Sequence, residues 1–468
     1  MSSSDNLHEN GEVKDNYNDI ARSFKDDKVS YISLVPVFMD ITFSVSASLV
    51  SAPFRGHNGA STYRRAVAYT FLREVINSFS VAEGQKFTPT TDKSYLRVAK
   101  SHHWAAHTIG LEHGAKGHWL GHSDAKYVMI YFHGGGFIAA ATTAHLKYQF
   151  GLQEAIRRLG HDFSILSLSY TLAPKAVYPT QLKQAAAALR FLVRDLGRDP
   201  GTILLGGDSA GGNLAVALLS HLAHPHERVE AVDLGGRMLK GALLISPWIA
   251  FGTDDESFRR NAKSDCLTIG GLNKASNTYI GRGGRHDNYT EAVRAPREWW
   301  AGVAKVVSEM MIWGGGGEIL IDGIRRFQQN VKAGFDIDAH VEGSDFASSE
   351  LGSGNFYIMT GERPKTPTLQ ENGTLESHET VSPKQRVETL TIEVLDHEDE
   401  SGFAEDRKQE QDTVNYLEGA ERVKFVETPR MAHEEMILDY MLRIKGKQEG
   451  AKAIEGWLDG LLRNKEGR

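Results

Sequence analysis

Short runs of mostly apolar residues recur between helical segments, and they constrain the fold more than any other feature of the chain. YVMIYF (127–132), FSILSLSY (163–170), TILLGG (202–207) and LKGALLISPW (239–248) lack strict polar–apolar alternation. Strands of that composition are covered on both faces. Helical spacing fills the gaps between them, in HLKYQFGLQEAIRRLG (145–160), QLKQAAAALRFLVRDL (181–196) and GGNLAVALLSHLAH (211–224). KVVSEMMIW (305–313) predicts a fifth strand and ERVKFVETP (421–429) a returning one. Strand and helix in alternation predict an α/β fold with a mostly parallel central sheet and helices on both faces.

A chain of 468 residues accommodates one large elaborated domain or two. The formal net charge of −7 argues against a nucleic-acid binder, which shows a basic face. Its one cysteine, Cys266, excludes an intrachain disulfide and favours a reducing compartment. Residues 1–28 are polar and acidic, which predicts a disordered N-terminus and no signal peptide. Residues 29–100 are expected to form an N-terminal cap. Within it, the apolar stretch 31–53 suits either a cap helix or a membrane-associating helix interrupted by Asp40. The body is expected over 101–342, with a cap insertion near 250–300. Residues 343–420 hold 17 acidic and 6 basic residues and predict a solvated, disordered insertion, with VETLTIEVLD (387–396) as a short strand within it. Residues 421–468 complete the fold. The expected location is intracellular, in the cytoplasm or at the endoplasmic-reticulum membrane, and not secreted.

The chemistry starts at Gly207-Asp208-Ser209-Ala210-Gly211, a G-x-S-x-G pentapeptide between a predicted strand and a predicted helix. A serine on such a turn presents its hydroxyl above the sheet, and small neighbours permit the strained backbone. The helix that follows aims its N-terminal amides at any oxyanion formed there. A glycine run, His133-Gly134-Gly135-Gly136, ends the strand YVMIYF. Bare backbone at a strand's carboxyl end can close on a negative oxygen. Gly135 and Gly136 are therefore the expected donors of an oxyanion hole completed by Ala210, with His133 and Gly134 supporting the turn.

HGGGF followed about 70 residues later by GDSAGGN, with YTLAP between them, resembles the hormone-sensitive-lipase family of α/β-hydrolases. The family's middle motif carries arginine where this chain has Thr171. Within the family the appearance is nearest to fungal esterases and steryl acetyl hydrolases. The resemblance implies an α/β-hydrolase fold with a helical cap, a serine esterase activity without a cofactor, and an acid and a histidine after the serine. His433, after the last predicted strand, matches the histidine. In WGGGGEILIDGI, Glu318 matches the first acidic position, with Asp322 as the alternative.

Several other signals are weaker. Six histidines between 102 and 122 lack cysteines or carboxylates at ligand spacing, so a loop or hairpin is expected there and no metal site. WGGGG (313–317) lacks the Lys-Ser/Thr of a phosphate loop. Cys266 has no neighbouring base in sequence. The leading expectation is hydrolysis of small or hydrophobic esters through an acyl-serine, acetylated sterols or metabolites among them. The alternatives are a non-catalytic binder on the same fold and an amidase or deacetylase. Oligomeric state is not legible.

Overall fold

The computed structural model describes residues 34–56, 59–348, 415–418, 422–444, 446 and 448–463. Nine strands form one sheet: β1 (His107–Gly110), β2 (Lys116–Leu120), β3 (Tyr127–Phe132), β4 (Phe163–Ser169), β5 (Ile203–Asp208), β6 (Gly241–Ile245), β7 (Met310–Gly315), β8 (Asn415–Glu418) and β9 (Val423–Thr428). Their order is β1-β2-β4-β3-β5-β6-β7-β9-β8. The stretch from β4 to β9 is parallel. Antiparallel neighbours close both edges, β1 and β2 on one side and β8 on the other.

The apolar runs behave as a doubly covered sheet requires. Val128, Ile130 and Phe132 of β3 join one core, while Met129 and Tyr131 join the other. The same alternation holds in β7, where Met310 and Ile312 face one way and Met311 and Trp313 the other.

The helices, in chain order, are α1 (Leu34–Ser51), α2 (Tyr63–Ser78), α3 (Val81–Phe87), α4 (Thr91–Ser101), α5 (Thr143–Arg158), α6 (Thr180–Arg190), α7 (Ala210–Ala223), α8 (Glu256–Arg260), α9 (Ile269–Ile280), α10 (Arg297–Val303), α11 (Ile321–Ser348), α12 (Glu435–Leu442) and α13 (Glu449–Arg463). Residues from α6, α7, α10 and α11 pack in the first core. Those from α4, α5, α12 and α13 pack in the second.

Strand order reverses at β3: the chain leaves it for β4 on one side, while β5 and β6 succeed it on the other. In open α/β sheets the crevice at such a switch, at the strands' carboxyl ends, is where ligands bind. Both glycine-containing motifs, after β3 and after β5, end there.

Two sequence expectations change, and the histidine-rich stretch takes one of its two expected forms. The fifth strand starts at Met310 rather than 305, because Lys305–Ser308 turns and only Val307 bridges to Leu239. The acidic insertion is shorter than 343–420, since α11 runs to Ser348 and Asn415–Glu418 pairs with β9. The histidine-rich stretch is the β1–β2 hairpin, with the His118 ring stacked on Tyr95 at 4.5 Å and paired with Asp92. The N-terminal 1–28 segment and the 387–396 strand lie outside the described residues.

Helix α1 packs on α2 along a single seam. Its buried residues are Leu34, Ile41 and Ser48, one every seven positions. A seam that narrow leaves the other apolar side chains outside, and Phe43 is 76% exposed and Val50 73% exposed. By contrast α2 is anchored firmly. Arg65 forks onto Asp439 and also reaches Glu435, and the Tyr69 hydroxyl donates to Glu435 at 2.9 Å. Both acids sit on α12, directly after His433.

Candidate active site

Ser209 stands between β5 and α7 with φ 49° and ψ −117°. A non-glycine residue there stores about 1–3 kcal/mol of strain, which persists only where the surroundings over-determine it. They do. Its N–H donates to the Ile245 carbonyl and its carbonyl accepts from the Trp248 N–H, both at 2.9 Å. Gly207 and Gly211 are obligatory, because a Cβ on Gly207 would strike the Gly211 backbone and one on Gly211 the Phe132 carbonyl.

The loop after β3 faces this turn. Gly135 (φ 107°) and Gly136 (φ 62°) are left-handed, a conformation glycine adopts without penalty. No protein acceptor among the described residues takes either amide. Ala210 opens α7, so its amide is one of the orphan donors of a helix start. The three amides expected to form an oxyanion hole thus stand on two loops beside Ser209, two of them without a protein acceptor among the described residues.

Gly134 has a different role: its N–H donates to Asp208 Oδ2 at 2.7 Å and ties the loop to the residue before the nucleophile. His133 supports the turn from behind. Its ring stacks on Tyr170 at 4.3 Å, its Nδ1 hydrogen-bonds the Gly134 carbonyl, and its own carbonyl accepts the Tyr170 hydroxyl. Complete burial brings the His133 imidazole down to about 4, so it is neutral in water at pH 7. Thr171, the departure in the middle motif, is held by Gln184 at 2.8 Å through both backbone and hydroxyl.

The acid is Glu318. Its Oε2 lies 2.7 Å from His433 Nδ1, while Oε1 accepts from the Gly315 N–H and the Ser246 hydroxyl. Asp322 is the rejected alternative. One turn further on, it accepts from the Ser257 N–H and pairs with Arg260 and Arg325. Burial works to lower His433, but the Glu318 carboxylate overcomes it and holds the imidazole above its ordinary value. Burial also raises the Glu318 carboxyl, with the histidine pulling the other way.

The WGGGG run packs two loops together. Gly316 and Gly317 donate to Thr428 and Met431 at 2.8 Å, and a Cβ on Gly315 would strike the Met431 carbonyl. The acid-bearing and histidine-bearing loops therefore lie backbone against backbone.

Two participants escaped the sequence reading. Asp265 is fully buried; it accepts from the Ile319 N–H through one oxygen and from the His433 and Cys266 N–H groups through the other. It thus fixes the chain beside both the acid and the base. Glu434, next to His433, adopts φ 51° and puts its carboxyl 3.6 Å from His433 Nε2. Neither sits in a recognisable spacing, so no signal in the sequence pointed to them.

Ser209, His433, Gly135 and Gly136 open onto one cavity of about 320 Å³. Leu72, Val75, Ile76 and Phe79 of the α2 region and Leu272 and Ala275 of α9 line its walls. The lining residues between 72 and 88 and between 266 and 275 fall within the spans expected for a cap, 29–100 and 250–300. Cys266 also lines it as a buried thiol, pushed well above its ordinary value by burial and the adjacent Asp265, which disfavours a nucleophilic thiolate.

Residues 129–344 match the family model for the alpha/beta hydrolase fold. The esterase LipI of Mycobacterium tuberculosis is 32% identical over 33% of this chain and 45% of its own length. Hormone-sensitive lipase of Bos taurus is 30% identical over 34% of this chain and 19% of its own length. The chain thus spans less than half the length of these curated relatives. A crystal structure of an esterase from the bacterial hormone-sensitive lipase family aligns at TM-score 0.42 and 23% identity, over 62% of this chain and 84% of that one.

Proposed function

We propose that the protein is a serine carboxylic ester hydrolase of the hormone-sensitive-lipase family working through an acyl-serine, a reading supported by the match of residues 129–344 to the family model for the alpha/beta hydrolase fold. The observation that carries this reading is the Glu318–His433 pair at 2.7 Å, opening with Ser209 onto a cavity flanked by glycine amides. His433 Nε2 is buried without a hydrogen-bond partner among the described residues, so it is available to take the Ser209 proton. Ser209 Oγ then attacks the ester carbonyl, and the amides of Gly135, Gly136 and Ala210 stabilise the tetrahedral oxyanion. The imidazolium, oriented by Glu318, returns its proton to the leaving alcohol. Water repeats the cycle in reverse and frees the acid. An amide bond broken by the same groups would be the deacetylase version of this reaction.

The aliphatic and aromatic walls suit a hydrophobic acyl or alcohol group. Purified protein is expected to hydrolyse p-nitrophenyl acetate and butyrate and to form one fluorophosphonate adduct, located at Ser209 by peptide mass spectrometry. Absence of both turnover and an adduct at Ser209 would overturn the reading.

Helix α1 extends the proposal to location. A helix of 18 residues is about 27 Å long, and outside the Leu34–Ile41–Ser48 seam its Val35, Met39, Phe43 and Val50 side chains are more than half exposed. We assign that surface to a lipid interface, with the protein in the cytoplasm or on the endoplasmic-reticulum membrane. Phe38 of α1 stacks edge-on with Phe79 at 6.1 Å, and Phe79 lines the cavity. In this reading Phe38 and Phe79 would guide an apolar ester from lipid towards the cavity at Ser209. Replacing Phe38, Met39 and Phe43 with serine is expected to reduce sedimentation with phospholipid vesicles several-fold and to spare hydrolysis of water-soluble esters. Unchanged vesicle binding would refute the assignment.

A further inference from the structure

Behind the oxyanion loop, Asp208, Glu434 and His145 bring their side chains together, with candidate donor atoms all within 4.8 Å of one another. His145 Nε2 lies 3.5 Å from Asp208 Oδ2 and 3.8 Å from Glu434 Oε2. All three residues are buried, and Asp208 Oδ1, Glu434 Oε1 and His145 Nε2 have no hydrogen-bond partner by strict geometry. Gly134 wedges against the pair, since a Cβ on it would strike both Asp208 Oδ2 and Glu434 Oε1.

Two carboxyl groups buried this closely need either a cation or a proton between them. The His145 ring decides which. The Thr142 backbone N–H donates to His145 Nδ1 at 3.2 Å as part of the cap of α5, and a backbone N–H can only donate. Nδ1 therefore accepts, and the ring's single proton sits on Nε2, facing the carboxyl groups. A metal at Nε2 would require the opposite tautomer, with Nδ1 carrying the hydrogen. Asp208 accepts the Gly134 N–H, which favours its charged form, so the shared proton belongs on Glu434.

We propose that Glu434 is a positioning residue for the esterase reaction: as a protonated acid it hydrogen-bonds Asp208, and Asp208 in turn holds the oxyanion loop through the Gly134 N–H. Loss of that proton places two carboxylates side by side and loosens the loop that carries Gly135 and Gly136. The proposal rests on the esterase reading for its catalytic consequence, and on the buried pair alone for its effect on stability.

The surroundings bias Glu434 in the same sense. Burial raises its carboxyl well above the ordinary range, and the charges of Asp208, Glu318 and Asp265 add to this. Asp208 is held below its ordinary value: burial opposes this, but the neighbouring His145, and after it Glu434 and Tyr131, outweigh it. His145 on α5 and His433 on Glu434's own loop face the carboxyl from two sides. The neutral groups nearby are the phenols of Tyr131 and Tyr170 and the thiol of Cys266.

Because the folded protein binds this proton more tightly than the unfolded chain, the associated stability is complete below the ordinary carboxyl value of about 4.3. It is lost as pH rises through the raised folded value. In the wild type, Tm is thus expected to fall over that window, and the fall should be smaller in Glu434→Gln, which has no proton to lose. In assays, Glu434→Ala is expected to lose about 10- to 100-fold in kcat with little change in KM, less than the 10²–10³ of deleting an oxyanion donor outright. Glu434→Gln, whose amide can still donate to Asp208, should recover part of that loss and lack the wild type's alkaline fall in kcat.

Parallel Tm–pH curves for wild type and Glu434→Gln would overturn the shared proton without any assay. A glutamine variant as impaired as alanine would overturn the positioning role. One equivalent of tightly bound divalent metal in the wild type, absent from Glu434→Gln, would replace the proton with an ion and refute the proposal. If the protein hydrolyses no ester, the esterase reading fails, while the Tm comparison still decides the protonation of Glu434.

Discussion

Ser209→Ala is expected to lower kcat by about 10⁶-fold, and His433→Ala by nearly as much, since members of a triad act as a unit. The double variant should be hardly worse than either single one. What remains comes from the amides of Gly135, Gly136 and Ala210, which neither substitution removes. Stability should change little with Ser209→Ala, because the hydroxyl makes no hydrogen bond to the described residues and alanine keeps the same Cβ in the same backbone conformation. Ester hydrolysis by Ser209→Ala at more than a hundredth of the wild-type rate would sink the acyl-serine mechanism.

Glu318→Gln is the second large effect, at about 10²–10⁴-fold in kcat, by comparison with losing the orienting acid of other triads. The amide retains volume and one acceptor but no longer stabilises the imidazolium. Its pH profile carries a separate signature. His433 must be neutral to act as a base, and Glu318 raises it, so the acid limb of kcat/KM lies above the ordinary imidazole value of about 6.5. Removing the carboxylate should move that limb to lower pH. Asp322→Asn should leave both rate and limb near the wild type, because Asp322 serves Ser257, Arg260 and Arg325 instead. The reverse ranking would make Asp322 the acid.

How much was legible follows from where the information sits along the chain. β3, β5 and β6 announce themselves because both faces are buried, so every position is apolar or small. The turn at Ser209 is equally plain, since Gly207 and Gly211 are dictated by backbone contacts two residues away on either side. The histidine-rich stretch admits either a loop or a hairpin in sequence because β1 is mostly exposed and β2 mostly buried, so neither strand alternates. β7 was misplaced by five residues because Val306 and Val307 extend its apolar run, while Gly314 and Gly315 end it for reasons of packing against the Met431 loop. Glu318 could be ranked over Asp322 only through the family pattern, and the structure supplies the missing distance. Asp265 and Glu434 were invisible because a lone carboxylate acquires its meaning only from chain segments brought to it by folding.

The pairing of β7 with β9 has a consequence for the chain between them. Six residue pairs, from Met310 with Val423 to Gly315 with Thr428, fix the two strands in register. Glu318 and His433 each follow within a few residues of that ladder's end, although more than a hundred positions separate them in sequence. The distance between acid and base is thus set by hydrogen bonds across the sheet, and the length of chain between α11 and β8 does not enter it. Insertions and deletions there are nearly silent to the chemistry, because loop-closure entropy grows only logarithmically with length. Shortening that segment is therefore expected to leave the Glu318–His433 distance unchanged.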